Sequence, residues 1–493
     1  VANSAEWKVV PLAASVDQRY TDSSIDGLLT NGYLEKDEAG ALWTRRRAGL
    51  TWVSALSNTG AGLGQAIMAA GANGVGNFVS FQNSVYQNGS LVYTWPISSG
   101  DSWFDQSTAL PASSSFYVSN GNSGAYYTGA VFTKIIDAAY PSSTLNGSAY
   151  LNGYLYVLDV NGSVWGSKNQ NDFSAWSSTN VINAWGTVGK PFAIRKYLNE
   201  VLVFKTYAIE VFYDAGNNGI GSPLLPVQQI NIKWGCTTPK TIVTIDDDIF
   251  WVGTSSSGLN SVIRMNQFNP VPISTPQINR LLSINGAASN NDLFQVAAFS
   301  CTMGGNKFYC LSYIQALNNV VSTVMLAYNL GSGEWSVFNT PLIPSNAAGF
   351  FHHYPVASAN DPFADQTNVL FSTGNVYLID DSVNVDSSSS TVHLPVSMRL
   401  RTDNFEAGTS LRKMVSGLRI KADQKSASAL RIRWSDDDYQ TWSAWRGIDL
   451  SKPVPMLPGL QGTFSKRAYE IEYSGSDPIR LSRLELLIAL GDI

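Results

Sequence analysis

The stretch Tyr150-Leu151-Asn152-Gly153-Tyr154-Leu155-Tyr156-Val157-Leu158-Asp159 runs into Asn161-Gly162 and out again through Ser163-Val164-Trp165. Aromatic and aliphatic residues fill both arms, and Asn-Gly is the dipeptide that best tolerates the backbone of a tight hairpin turn. The reading is strand, turn, strand. Related units recur at Glu200-Val201-Leu202-Val203-Phe204 with Ile209-Glu210-Val211-Phe212-Tyr213, and at Asp248-Ile249-Phe250-Trp251-Val252-Gly253 with Val262-Ile263-Arg264. Two more lie at Lys307-Phe308-Tyr309-Cys310-Leu311 with Val324-Met325-Leu326, and at Asn368-Val369-Leu370-Phe371 with Val376-Tyr377-Leu378-Ile379. An earlier copy joins Val79-Ser80-Phe81 to Ser84-Val85-Tyr86.

Equivalent starts (Phe78, Tyr154, Glu200, Ile249, Lys307, Asn368) are 76, 46, 49, 58 and 61 residues apart. Apart from the first, these steps bracket a propeller blade of roughly 40–50 residues with loop insertions. The long first step has room for inserted strands around Ser115-Phe116-Tyr117-Val118. The sequence therefore predicts an all-β fold, a β-propeller of about six blades, with a pair of β-sandwiches as the structural competitor. Trp176, Trp234 and Trp335 follow repeated units and are expected to wedge neighbouring sheets, which favours the propeller.

Charge divides the chain. Only 14% of residues are charged and the net charge is −5. Residues 48–394 hold 11 Lys/Arg and 18 Asp/Glu, whereas residues 395–493 hold 15 and 12 at about three times the density. A boundary near Ser387-Ser388-Ser389-Ser390 follows. The expected organisation is an N-terminal docking arm (1–50), the propeller (51–394) and an additional C-terminal antiparallel β domain (395–493). In that last domain Ala429-Leu430-Arg431-Ile432-Arg433-Trp434 and Ala468-Tyr469-Glu470-Ile471-Glu472-Tyr473 alternate in period two, which predicts one buried and one wet face.

With 44% hydrophobic residues, 41 Gly and 20 Pro, disordered, coiled-coil and collagen-like classes are excluded. No apolar run reaches the roughly 20 residues of a membrane helix, and the first ten residues lack the layout of a signal peptide. The mild acidity argues against a dedicated nucleic-acid binder. Cys236, Cys301 and Cys310 match no zinc pattern with His352, His353 and His393, and read as small buried apolar residues.

Chemistry-bearing residues have bland readings that outweigh the sharp ones. Asp159, Asp214, Asp248, Asp292 and Asp380 lie near strand ends where a glycosidase could converge two of them, but Asp after a strand more often builds a turn. Asp246-Asp247-Asp248 lacks the spacing of a calcium loop. Gly60, Gly62, Gly64, Gly71, Gly74 and Gly76 lack the third Gly of a dinucleotide fingerprint and any Gly-Lys-Ser/Thr. The Asn-Gly-Ser triplets at Asn88, Asn146 and Asn161 read as turns rather than glycosylation acceptors. Ser435-Asp436-Asp437-Asp438-Tyr439-Gln440-Thr441-Trp442 resembles the Asp-box hairpin of sialidases with Tyr439 in place of Gly, and such boxes are structural. A sialidase needs an arginine cluster, yet Arg195, Arg264 and Arg280 are the only arginines in residues 48–394. Arg45-Arg46-Arg47, the one dense basic cluster, could touch nucleic acid, dock on an acidic neighbour or be solvated, the last being the default.

The order of segments resembles the tail nozzle or packaged-DNA stabilisation proteins of short-tailed bacteriophages. The resemblance rests on Arg19-Tyr20, on Arg47-Ala48-Gly49-Leu50 where the family usually has Pro-Gly-Leu, on Glu210-Val211-Phe212-Tyr213-Asp214-Ala215-Gly216, and on Lys233-Trp234-Gly235-Cys236-Thr237-Thr238-Pro239. Asp248–Gly253 continuing through Val262–Asn266 to Pro272–Thr275, and Arg433–Asp437 with Thr441-Trp442-Ser443, complete it. It implies a structural virion protein of the tail, made in the host cytoplasm, forming a homohexameric ring beneath portal and adaptor. That ring would extend the DNA channel, retain the packaged genome and conduct it during ejection without sequence specificity. It implies no catalytic residue, cofactor or metal. The head–tail adaptor is the implied partner, with tail needle and tail fibre or spike proteins as further candidates, and Arg45, Arg46 and Arg47 become candidate contacts to the adaptor or a neighbouring protomer. The alternatives are a sialidase-like or other glycan-active propeller, and a propeller that binds glycans without turnover.

Overall fold

The computed structural model describes residues 5–12, 28–37, 40–56, 64–69, 76–96, 101–106, 116–129, 131–216, 221–284, 296–317, 320–340, 354–361, 366–387, 391–425 and 430–490. Asn152 and Gly153 both take positive φ (50° and 92°), so the decisive stretch is two strands rather than one continuous run. Ala149–Leu151 turns back at this pair into Tyr154–Leu158, and a second reversal leads into Ser163–Asn169 and then Asp172–Asn183. The product is a four-stranded antiparallel meander.

This meander is a propeller blade, and the others repeat it. In chain order the sheets span 64–94, 103–134, 149–183, 191–226, 234–272 and 296–338. A seventh is built from Pro355–Asp361, Gln366–Phe371 and Val376–Asp380, and takes its outer strand, Gly49–Ser54, from the start of the chain. Closure by strands from both ends ties the ring shut, and the radial arrangement leaves each sheet with only short edges. Each of the six starts read from the sequence lies in the second strand of a blade. The strands expected inside the long first step, at Phe116–Ser119 and its neighbours, form one further sheet in the ring.

The cores lie between blades. Phe78 and Val85 pack with Phe116 and Phe132, Tyr117 with Leu155 and Trp176, and Leu158 with Val203 and Phe212. Further round, Phe204 meets Trp251, Phe250 meets Tyr309 and Trp335, Phe308 meets Phe371, and Leu370 returns to Val79. Seven such clusters carry the contact round to where it began, as a closed propeller requires. Trp176 and Trp335 are wedges between sheets as expected, each donating its indole N–H to a backbone carbonyl, and Trp234 packs half-buried between the fourth and fifth of them.

The first fifty residues are woven into the rest. Glu6–Val10 and Leu42–Arg46 pair with Arg480–Leu490, and Gly32–Lys36 pairs with Leu42–Arg46. Leu28–Thr30 bridges the outer strand of the 296–338 blade, in parallel at Thr30 and Val337, to Met398–Arg401. Two sheets result, enclosing one core that includes Val10, Leu29, Leu400, Val415, Ile432, Ile471 and Leu486. The C-terminal β domain is thus a sandwich completed by the N-terminus, and the described residues of 1–50 are not an arm separate from it. Leu430–Ser435 alternates as predicted, but Ala468–Tyr473 is buried on both faces, because arginines of adjoining strands cover the face expected to be wet.

Candidate functional site

Arg45, Arg46 and Arg47 lie where propeller and sandwich meet. Arg47 and Asp386 form a two-pronged ion pair, Nη2 to Oδ2 at 2.6 Å and Nη1 to Oδ1 at 3.1 Å, with side chains only 4% and 0% exposed. Arg47 also donates to Asn31 Oδ1, Ala48 O and Asn339 O, and Asp386 Oδ1 accepts the Leu50 amide at 3.0 Å. Arg46 stacks on the Tyr473 ring and donates to the carbonyls of Gly475, Val396, Asn384 and Ser476. Burial lowers its guanidinium to about 10. Only Arg45 is half exposed, 3.5 Å from Glu35.

These contacts correct the docking expectation for Arg46 and Arg47, since both side chains are consumed inside the protomer. Their neighbour Gly49 shows why the motif has its form. A Cβ there would sit 2.3 Å from the Val385 carbonyl oxygen, so only Gly lets the closing strand pass. The Arg-Ala-Gly-Leu segment is the knot that joins the two ends of the ring to the sandwich.

The charge-rich C-terminal domain is likewise wired internally. Glu470 and Glu472 lie between Arg399, Arg401, Arg431 and Arg433. Burial alone would raise the Glu472 carboxyl, but the bonds from Arg399 and Arg431 outweigh it and hold it below the ordinary range. Arg433 lies over Trp442 and Trp445, and Arg401 over Trp442 and Tyr439, fastening the Asp-box-like turn to the sheet. In that turn Asp437 accepts from Thr441 and Ser435, which lowers it to about 2, and Tyr439 takes φ 69° where the sialidase pattern has Gly. Buried Arg467 pairs with Asp436 through two nitrogens at 2.6 and 2.8 Å. The motif is structural.

The strand-end carboxylates also build turns and pairs. Asp159 accepts from Asn161, Ser163 and the Trp165 indole. Asp214 accepts from Asn152 and Gly216, Asp380 from Ser382, and Asp248 binds Arg264 at 2.7 Å. Among the described residues no group of three or more His, Cys, Asp and Glu could hold a metal. His352, His353, Asp292, Arg19, Tyr20, Ser388–Ser390 and most of the Gly60–Gly74 run lie outside the described residues. His393 Nδ1 is 2.8 Å from Ser387 Oγ across a hairpin.

Two features were missed in the sequence. Lys240 Nζ meets Asp101 Oδ1 at 2.8 Å. Asp101 precedes the inner strand of the 103–134 blade, and Lys240 sits in the 3-10 turn Pro239–Thr241 that interrupts the inner strand of the 234–272 blade. Among the described residues these blades share no core cluster, and both partners lie at inner strands, so the pair meets across the middle of the ring. The second is the 184–190 loop between the third and fourth sheets, where Trp185 is 69% and Val188 91% exposed. The visible signal was a Trp and a Val among glycines, Trp185-Gly186-Thr187-Val188-Gly189, outside either strand pattern.

Fold and site together define a closed β-propeller whose conspicuous polar residues serve architecture. Residues 98–345 match the phage stabilisation family described as "Bacteriophage P22 Gp10, beta-propeller", over half of the chain and five consecutive blades. The chain belongs to that family of bacteriophage structural tail proteins that stabilise packaged DNA. No curated protein matches it. Among solved structures, the computationally designed Ika8 protein is similar at 8% identity over 67% of this chain and 99% of that one, with a TM-score of 0.37. The N-terminal domain of Nup159 is similar at 9% identity over 72% and 98%, with a TM-score of 0.36.

Proposed function

We propose that the chain is the tail nozzle protomer of a short-tailed phage, a homohexameric ring below portal and adaptor that lengthens the DNA channel and retains the genome until ejection. The family match across five blades carries this reading. The protomer's geometry supports a DNA path between subunits. The Lys240–Asp101 pair spans the protomer's own axis, whereas the major groove of duplex DNA alone is about 12 Å wide. The channel is therefore built between protomers and not through any one propeller. The charge-poor propeller surface suits such a lumen, because tight phosphate contacts would hold a duplex that has to slide.

Adaptor, needle and fibre or spike proteins are the proposed partners, and the virion tail the proposed location. Arg45, the half-exposed member of its triplet beside Glu35, is the one that still reaches the surface for such a contact. Particles assembled without this protein are expected to package DNA and then lose it to added nuclease, and purified protein is expected to restore protection. Stable retention in its absence would overturn the reading.

A further inference from the structure

The 184–190 loop is fixed in shape from beneath. Lys205 and Glu210 form a buried ion pair, Nζ to Oε1 at 2.9 Å, with side chains 3% and 9% exposed. Lys205 Nζ also donates to the carbonyls of Ala184 and Thr187. Glu210 accepts from the amides of Gly186 and Thr187 and from the Thr187 hydroxyl. Lys190 exchanges bonds with Thr206, and the Trp185 indole N–H donates to Asn161 O at 3.3 Å. A buried ion pair is a poor source of net stability, and its result here is a loop held in one shape. That loop presents Trp185 and Val188 outward, beside half-exposed Val160 and Tyr207.

A rigid exposed tryptophan with aliphatic neighbours is the composition of a binding hot spot. The same chain carries a receiving site. A groove of about 430 Å³ lies on the sandwich between Lys8–Pro11 and Asp403–Gly408, with Val9, Pro11, Phe405 and Ala407 as apolar lining and Asp403 and Glu406 at the surface. The groove lining carries Lys8 against the two carboxylates Asp403 and Glu406, so its balance is mildly acidic, against the exposed Lys190 on the loop. The loop joins the third and fourth sheets, and the sandwich attaches at the sixth and seventh, across the ring. A protomer's anchor therefore does not face its own groove.

We infer that the occupant of the groove is a second copy of this chain, with Trp185 and Val188 of one protomer seated between Lys8–Pro11 and Asp403–Gly408 of the next, and Lys190 facing Glu406. The contact is heterologous and repeats head to tail, which closes into a ring when the rotation permits. It rests on the ring assembly proposed above and names the surfaces that make it.

The test uses the full chain. Trp185→Ala is expected to weaken self-association on the order of 30-fold by analytical ultracentrifugation, and Ala407→Arg to act similarly from the other side. Val188→Cys mixed with Ala407→Cys is expected to give a disulfide-linked pair on mild oxidation that neither variant gives alone, the three native cysteines remaining buried. Far-UV and near-UV circular dichroism confirm folding of each variant. Rings that form unchanged in Trp185→Ala and Ala407→Arg, without the mixed cross-link, would overturn this contact and leave the nozzle reading standing. A wild-type chain that forms no ring at any concentration, alone or on purified tails, would overturn both.

Discussion

Replacing Asp386 with Ala tests whether the arginine motif is internal wiring. Among the described residues the change removes the only carboxylate bonded to Arg47, leaving a buried guanidinium with three uncharged oxygens, those of Asn31, Ala48 and Asn339. It also orphans the Leu50 amide at the strand that closes the propeller. Breaking one side of a buried ion pair costs about 3–5 kcal/mol, and the orphaned amide about 1 kcal/mol or more. Because a chain of this size need not unfold in one step, the effect is read locally, by hydrogen exchange of the 49–54 strand. At about 1.4 kcal/mol per decade, opening of that strand is expected to rise at least 10²-fold. The double variant Arg47→Met/Asp386→Leu is expected to cost less than the sum of the single changes, since neither charge is left stranded. An Asp386→Ala strand that exchanges within threefold of wild type would refute the reasoning, because it would mean that Arg47 finds solvent.

Three other perturbations follow from the packing. Gly235→Ala places a Cβ 2.2–2.3 Å from the carbonyl oxygens of Thr206 and Lys205, so urea unfolding is expected to show a loss of several kcal/mol, on the order of the largest single-site effects. Burial pushes the Cys236 thiol up to about 12 and raises Cys310, and Cys301 is equally enclosed. The native protein at pH 8 should therefore show no reaction with a disulfide reagent, and three thiols after denaturation; a fast native thiol would contradict the packing. Glu472 is held below its unfolded value of about 4.3, so its stabilisation is present above that pH and is lost as pH falls through the folded value. The urea midpoint should drop between pH 5 and 3 in wild type and vary less in Glu472→Gln, and equal slopes would count against the arginine cage.

Much of this fold could be read from the sequence because each blade carries its own local signals. Six second strands are aromatic and aliphatic runs bounded by turn residues, and their spacing gave the propeller directly. The Phe116–Ser119 blade was less visible because its strands are only three or four residues long, too short for a periodic pattern to repeat. The N-terminal strands were hidden for another reason. Leu28–Thr30 and Glu6–Val10 are ordinary short strands whose partners lie several hundred residues away, and no local feature encodes such pairing. Charge misled most. Three consecutive arginines look solvated or ready to dock, yet Asp386 lies 339 residues from Arg47 in sequence and converts the motif into a buried joint. The exposed Trp185 was the inverse case, an apolar residue that sequence logic sends to a core and that the Lys205–Glu210 pair instead holds outside.

The most direct test of the account is a cryo-EM reconstruction of the tail containing this protein. The account predicts a sixfold ring on the tail axis, with DNA density between protomers, each propeller axis closed at Lys240 and Asp101, and Trp185 against the neighbouring sandwich. A peripheral threefold assembly, or DNA running through an individual propeller, would contradict it.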